Sequence, residues 1–121
     1  MECLCALVTL KPGTVDRARE WARELNARKD EVIVTLRNEA VVVESVFLLT
    51  QADKNYLVYY MKGHDLTAAA EIARASTHPI DEYHRQFKKE TWADVQLLEV
   101  LLDADTLATD ARCLPSPNTL S

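Results

Sequence analysis

The chain has 121 residues, 48% hydrophobic and 27% charged, with a formal net charge of −5, enough for one domain with a real core and too little for two. Only two glycines, Gly13 and Gly63, exclude a glycine-rich phosphate loop and a dinucleotide fingerprint, and an acidic balance without a basic face argues against nucleic acid as a partner. No apolar run approaches the roughly 18 residues of a membrane span, and Met1-Glu2-Cys3 lacks the basic start of a signal peptide, so a cytoplasmic protein without a membrane partner is expected.

Residues Glu2 to Leu10 are almost continuously apolar and predict a strand covered on both faces. Lys11-Pro12-Gly13 closes it with turn chemistry, proline fixing one torsion and glycine freeing another. Cys3 and Cys5 share one face of that strand. With Cys113 far along the chain, the three cysteines read as reduced thiols, and a single C-x-C pair supplies only two metal ligands.

Thr14 offers a hydroxyl to cap a helix, with Asp16 in its first turn. Val15, Ala18, Ala22, Leu25, Val32 and Leu36 keep a three-four spacing that predicts one long amphipathic helix ending near Arg37-Asn38. Trp21 flanks its stripe and Lys29 interrupts it. Ala40 to Thr50 is rich in β-branched residues and predicts a second strand. Polar Gln51 to Asn55 suits a hairpin connection, and Tyr56 to Lys62 is the third strand, closed by Gly63.

Asp65 caps a helix running through Ala75 on Leu66, Ala69, Ile72 and Ala73. His78-Pro79 interrupts it, because a residue before proline is pushed out of the helical region. Pro79 suits the first position of a new helix capped by His78, with Ile80, Tyr83 and Phe87 as its apolar stripe. Val95 to Leu102 predicts a fourth strand. The chain turns polar from Asp103, and residues 1–104 are expected to form the domain, with 105–121 a polar tail.

The order strand, helix, strand, strand, broken helix, strand predicts an α+β ferredoxin-like plait (βαββαβ), a four-stranded antiparallel sheet with its helices on one face. The second strand is apolar on both sides: Val42, Val46 and Leu48 on one, Val41, Val43, Phe47 and Leu49 on the other. Helices cover one side only, and a soluble monomer avoids exposing the other. A homodimer packed through its sheet faces, a dimeric α+β barrel, is therefore expected.

The strings C-L-C-x-L-x-x-L-K-P-G, W-A-x-E-L-N-x-R-K, E-S-V-F-L, Y-Y-M-K and S-T-H-P-I-D-E-Y-H resemble a small bacterial family with no assigned activity, over about residues 1 to 105. That family lies among the ferredoxin-like dimeric α+β-barrel proteins. The resemblance implies the fold and brings no catalytic residues with it. The wider group spans cofactor-free oxygenases, sugar mutarotases, lyases and ligand-binding modules, among which fold alone does not choose.

Four groups of residues are candidates for chemistry. In Thr77 to His84, two histidines flank a carboxylate. Asp81 and His84 share a helix surface, and a carboxylate bonded to one ring nitrogen frees the other as a base or ligand. The alternative is structural: Asp81 reaches back as a variant capping box and His78 packs at the helix break. Glu44 interrupts an apolar strand, where desolvation raises a carboxyl toward acid–base range; at a rim it reaches water instead. Glu99 interrupts the last strand in the same way.

Lys29 and Asn26 share a helix face suited to an anionic or carbonyl-bearing ligand, or Lys29 snorkels along its stem. Tyr60 completes the set, against a reading of Tyr56, Tyr59 and Tyr60 as core and interface aromatics. If these residues converge between sheet and helices, the first expectation is a small-molecule-binding homodimer. Asn26, Lys29, Tyr60 and Asp81 would then orient the ligand. A cofactor-free isomerase, mutarotase or lyase acting on a small carbonyl or sugar-like compound is the alternative, with His78, His84 and Glu44 moving protons. An interaction scaffold is the third reading. No cofactor or resident metal is called for.

Overall fold

The computed structural model describes residues 1–107; Cys113 and the remainder of the expected tail lie outside them. Four strands, β1 (Glu2–Leu10), β2 (Val41–Gln51), β3 (Lys54–Gly63) and β4 (Trp92–Leu97), form one antiparallel sheet in the order β2-β3-β1-β4. Helices α1 (Val15–Ala27), α2 (Lys29–Asn38), α3 (Leu66–Ala75) and α4 (Pro79–Thr91) complete the ferredoxin-like plait.

Period-two alternation decides which side chains the helices cover. Leu4, Ala6, Val8 and Leu10 of β1 stand beside Leu57, Tyr59 and Met61 of β3 and Glu44, Val46 and Leu48 of β2. This face meets Ala18 and Trp21 of α1 and Phe87 of α4 to make the core. Trp21 lies flat on Phe87, with centroids 4.4 Å apart and planes within 6°. Burying a side chain the size of Phe87, which has no solvent exposure, contributes about 2–3 kcal/mol. Trp21 is thus a centre of the core and not a flank of the helix stripe.

Several local expectations need correction. The single long helix breaks at Arg28 (φ −113°, ψ 35°), where the charged text Arg28-Lys29 replaces the apolar residue due. The Arg28 guanidinium then bridges the break, binding Glu24 of α1 and Glu31 of α2. Thr14 caps no amide of α1; its hydroxyl donates to the Lys11 carbonyl at 2.7 Å. A bulge between Val41 and Val43 leaves Val42 outward and 47% exposed, so it does not share the inner face with Val46. The hairpin needs only Ala52 and Asp53 between paired Gln51 and Lys54. β4 starts three residues earlier than expected and ends at Leu97, which leaves Glu99 outside the sheet.

Gly63 is required where it stands. A Cβ there would lie 2.9 Å from the Ala40 carbonyl oxygen and 3.1 Å from Val41 Cα, and that contact brings the start of β2 against the end of β3.

The other face of the sheet carries Leu7, Phe47, Leu49, Tyr56, Val58 and Tyr60, and no helix among the described residues covers it; Phe47 is 60% exposed. At one end of this face the chain beyond β4 folds back. The Leu98 N–H donates to the Cys5 carbonyl, and Asp103 and Asp105 both bind the Lys62 ammonium, raising its pKa further. Asp103 is therefore anchored, although the polar text beginning there reads as a loose tail.

Candidate functional site

Two spaces open between the sheet and the helices. An inner cavity of about 380 Å³ is floored by Leu4, Ala6, Tyr59 and Met61 and roofed by α3 and α4. An outer groove of about 560 Å³ runs between α1, α2 and β2. Both volumes fall in the range of small-molecule sites.

Strand alternation carries Glu44 and Tyr59 to the inner cavity, and the turn of α4 adds Asp81, His84, Arg85 and Lys88. Glu39, at the end of α2, and Trp92, where α4 passes into β4, complete the polar lining. The aromatic members form one cluster. His84 stacks on Trp21 at 5.5 Å and meets Trp92 edge-on at 6.5 Å, and Tyr59 meets Trp92 edge-on at 5.3 Å.

Three polar atoms on residues of this lining are buried without a hydrogen-bond partner among the described residues: the Tyr59 hydroxyl, His84 Nδ1 and Trp92 Nε1. Burial raises the Tyr59 pKa, and the indole lies close enough for Trp92 to oppose that rise, yet neither group completes a bond. Buried polar groups are paired in the great majority of cases, and each left unpaired costs about 1–3 kcal/mol. None of the three atoms presents surface to the cavity, so each is a cost of the aromatic packing beside it.

The carboxylates in the cavity lack ion-pair partners. Arg85 is spent on the Ala73 and Ser76 carbonyls, each at 2.7 Å. Lys88 lies 4.7 Å above the Trp92 ring. Among the described residues no ion pair reaches Glu39, Glu44 or Asp81. Burial pushes the Glu44 carboxyl up, with Lys88 opposing and Asp81 adding to the rise. Glu39 is pushed up to about 7 by burial and by the nearby Asp81 and Glu44. Burial also lowers Lys88, against the pull of Glu44 and Glu39. It drives His84 down to about 3, helped by Lys88 and Arg85, so the imidazole is neutral throughout the physiological range.

The residues singled out from sequence divide between locations. Glu44, Asp81 and His84 line the inner cavity, and Asn26, Lys29 and again Glu44 line the outer groove. The expected Asp81–His84 pair does not form. Asp81 accepts from the Ser76 hydroxyl at 2.6 Å, while Ser76 Oγ accepts from the His78 N–H. His78 lines neither space, because its Nδ1 accepts from the Ile80 N–H to cap α4. Tyr60 pairs between Ser45 and Cys5 on the uncovered face, and the pleat keeps it from the cavity. Among the described residues no three His, Cys, Asp or Glu side chains gather as a metal site. No helix among them is long and apolar enough to cross a membrane.

A family of unknown function, DUF6176, matches residues 1–109. The chain belongs to that family. No curated protein matches this DUF6176 chain, but solved structures do. An antibiotic biosynthesis monooxygenase is 24% identical, over 87% of this chain and 99% of its own, with a TM-score of 0.54. An L-rhamnose mutarotase from Formosa agariphila is 17% identical, over 87% of this chain and 100% of its own, with a TM-score of 0.55. At these identities the likeness establishes the fold, the ferredoxin-like plait, and leaves the chemistry to the site.

Sequence reasoning missed Tyr59, Trp92, Glu39, Arg85 and Lys88 in this DUF6176 chain. A signal existed for Tyr59, since alternation from Leu57 puts it on the inner face. Glu39 and Lys88 come from separate elements, and no local spacing announces their meeting.

Proposed function

We propose that this protein is a small-molecule-binding homodimer whose ligand seats in the inner cavity. The observation that supports this reading is a cavity of about 380 Å³ whose Glu39, Glu44 and Asp81 carboxylates have no ion-pair partner among the described residues. A dimer serving only as a scaffold has no need of such a space. The uncovered apolar face is the surface through which a second copy docks, since exposing it in water is unfavourable.

A thermal-shift screen of the full chain against small neutral alcohols, aldehydes, ketones and sugars tests the site. A ligand at a hundred times its Kd stabilises the folded protein by about 2.7 kcal/mol. At least one class is expected to raise the melting temperature, and Ala73→Leu, which fills the cavity from α3, is expected to abolish the rise. A rise unaffected by Ala73→Leu, or no rise in any class, overturns the assignment.

Acid–base catalysis is a second reading, favoured by Glu44, whose raised carboxyl shares the cavity with a neutral imidazole. Roles then differ from those expected of the sequence. Glu44 moves the proton, and His84, too weak a base to hold one, hydrogen-bonds the substrate. The fold shared with an L-rhamnose mutarotase makes L-rhamnose the first compound to try. Anomeric exchange measured by NMR should be accelerated by wild type and not by Glu44→Gln. Exchange no faster than in buffer removes this reading for that sugar.

A further inference from the structure

We propose that the inner cavity selects an organic cation: a primary amine whose ammonium sits among Glu39, Glu44 and Asp81 and whose compact hydrocarbon body fills the apolar remainder of the space. The proposal rests on the inner cavity being a ligand site and goes further by naming the ligand class.

Three carboxylates reach this lining from separate parts of the chain: Glu39 from just past α2, Glu44 from β2 and Asp81 from α4. Each belongs to a residue that is only partly buried. Asp81 accepts one hydrogen bond, from the Ser76 hydroxyl, and the side chains of Glu39 and Glu44 accept none among the described residues.

The cations on the same lining leave them unanswered. Arg85 is turned to the Ala73 and Ser76 carbonyls, and Arg74 stands exposed on α3. The His84 ring is held neutral by burial. Lys88 lies 4.7 Å above the Trp92 ring, and no ion pair joins it to any of the three among the described residues. Its charge is felt by Glu39 and Glu44, but one ammonium does not balance three carboxylates. Burial and the two neighbouring carboxylates still hold Glu39 at about 7 against the pull of Lys88, so a further cation has charge to meet.

The spacing selects the kind of cation. The carboxylates are near enough to raise one another, yet among the described residues no three acidic side chains gather closely enough to hold a metal ion. An ammonium carried on carbon is larger and has three N–H donors, which carboxylates accept in charge-assisted bonds. The body is set by hydrocarbon beside the charged end: Leu4, Ala6 and Met61 below, Leu66 and Ala70 of α3 above.

Calorimetric titration of the full chain tests the charge with shape held fixed. Butylamine, cyclohexylamine and benzylamine, all protonated from pH 6 to pH 8, are each compared with the alcohol of the same skeleton, and cyclohexanecarboxylate is the anionic control. At pH 8 at least one amine is expected to bind tenfold or more tightly than its alcohol, with the carboxylate weaker than either. Between pH 8 and pH 6 the ionised share of Glu39 falls from about nine-tenths to about one-tenth, which should weaken the amine by up to about ninefold and leave the alcohol unmoved. Glu39→Gln should remove most of that pH dependence. Glu44→Gln should cut amine affinity at least tenfold and spare the alcohol, whereas Lys88→Gln, which takes away the resident ammonium, should tighten the amine alone.

Amines and alcohols of equal affinity overturn the cation and leave the inner-cavity reading standing. Amine binding unchanged in both Glu39→Gln and Glu44→Gln places the cation elsewhere and overturns the proposal. Absence of amine binding at millimolar concentration overturns it as well, and the inner-cavity reading then stands or falls by its own screen.

Discussion

At His84 and Glu39 the same desolvation works in opposite directions on stability. The ordinary imidazole value of 6.5 falls to about 3 in the fold. Above 6.5 the ring is neutral in both states. As pH falls from there toward 3 the unfolded chain takes the proton first, and stability is lost. Glu39 rises from 4.5 to about 7. Below 4.5 it is protonated in both states, and between 4.5 and 7 the unfolded chain releases its proton first, so stability is lost as pH rises. Glu39→Gln should therefore stabilise the protein more at pH 8 than at pH 4. The difference is on the order of 1 kcal/mol, because a half-buried carboxyl keeps part of its water. His84→Phe should gain on wild type as pH drops from 7 to 3. Urea unfolding at pH 4, 6 and 8 reads both, and an Glu39→Gln advantage equal at pH 4 and 8 would contradict the assigned burial.

At the scale of elements, α3 and α4 are held together by one side chain. Arg85, on α4, donates to the Ala73 and Ser76 carbonyls at the end of α3, groups a helix terminus leaves without intrahelical partners. Arg85→Ala should cost about 2–3 kcal/mol by urea unfolding, since charge-assisted bonds are lost and two carbonyls are stranded. Arg85→Lys should recover only part, because an ammonium lacks the planar fork that spans both. A loss below about 0.5 kcal/mol would mean that water satisfies the carbonyls equally well. Nothing in the text of α4 announces this role. Local chemistry was readable where it is self-contained: Asp65 accepts from the Ala68 N–H at 3.0 Å, and His78-Pro79 starts α4. It failed where a distant partner decides. The Val41–Val43 bulge answers to the Gly63 contact, and Asp81 turns to Ser76 in place of His84. The candidate site was legible in part for the same reason. Glu44 was conspicuous as a charge among valines, whereas Tyr59 and Trp92 look like ordinary core until the cavity beside them is seen.

For the whole molecule, the central question is what covers the sheet face that the helices leave bare. Its middle is apolar, with Leu7, Leu49 and Val58 around Phe47. Beyond β4 the chain adds Leu101 and Leu102, exposed by 88% and 83%, on a segment that Asp103 and Asp105 anchor to Lys62. A stable interface buries about 800 Å² on each partner, and apolar groups placed together on one face are suited to supply it. Two copies related by a two-fold axis meet like with like, so one charge introduced on this face appears twice in the interface. Val58→Glu is the cleaner variant, because Phe47 also borders the outer groove and its replacement confounds docking with ligand binding. In sedimentation at micromolar concentration the wild type should run at twice the 13.7 kDa of one chain. Val58→Glu should run as the single chain, with an unchanged far-ultraviolet circular dichroism spectrum. A wild type that sediments as one chain across that range would leave Phe47, Leu101 and Leu102 in water and remove the homodimer from the proposal, while the inner cavity, built wholly within one protomer, would keep its own test.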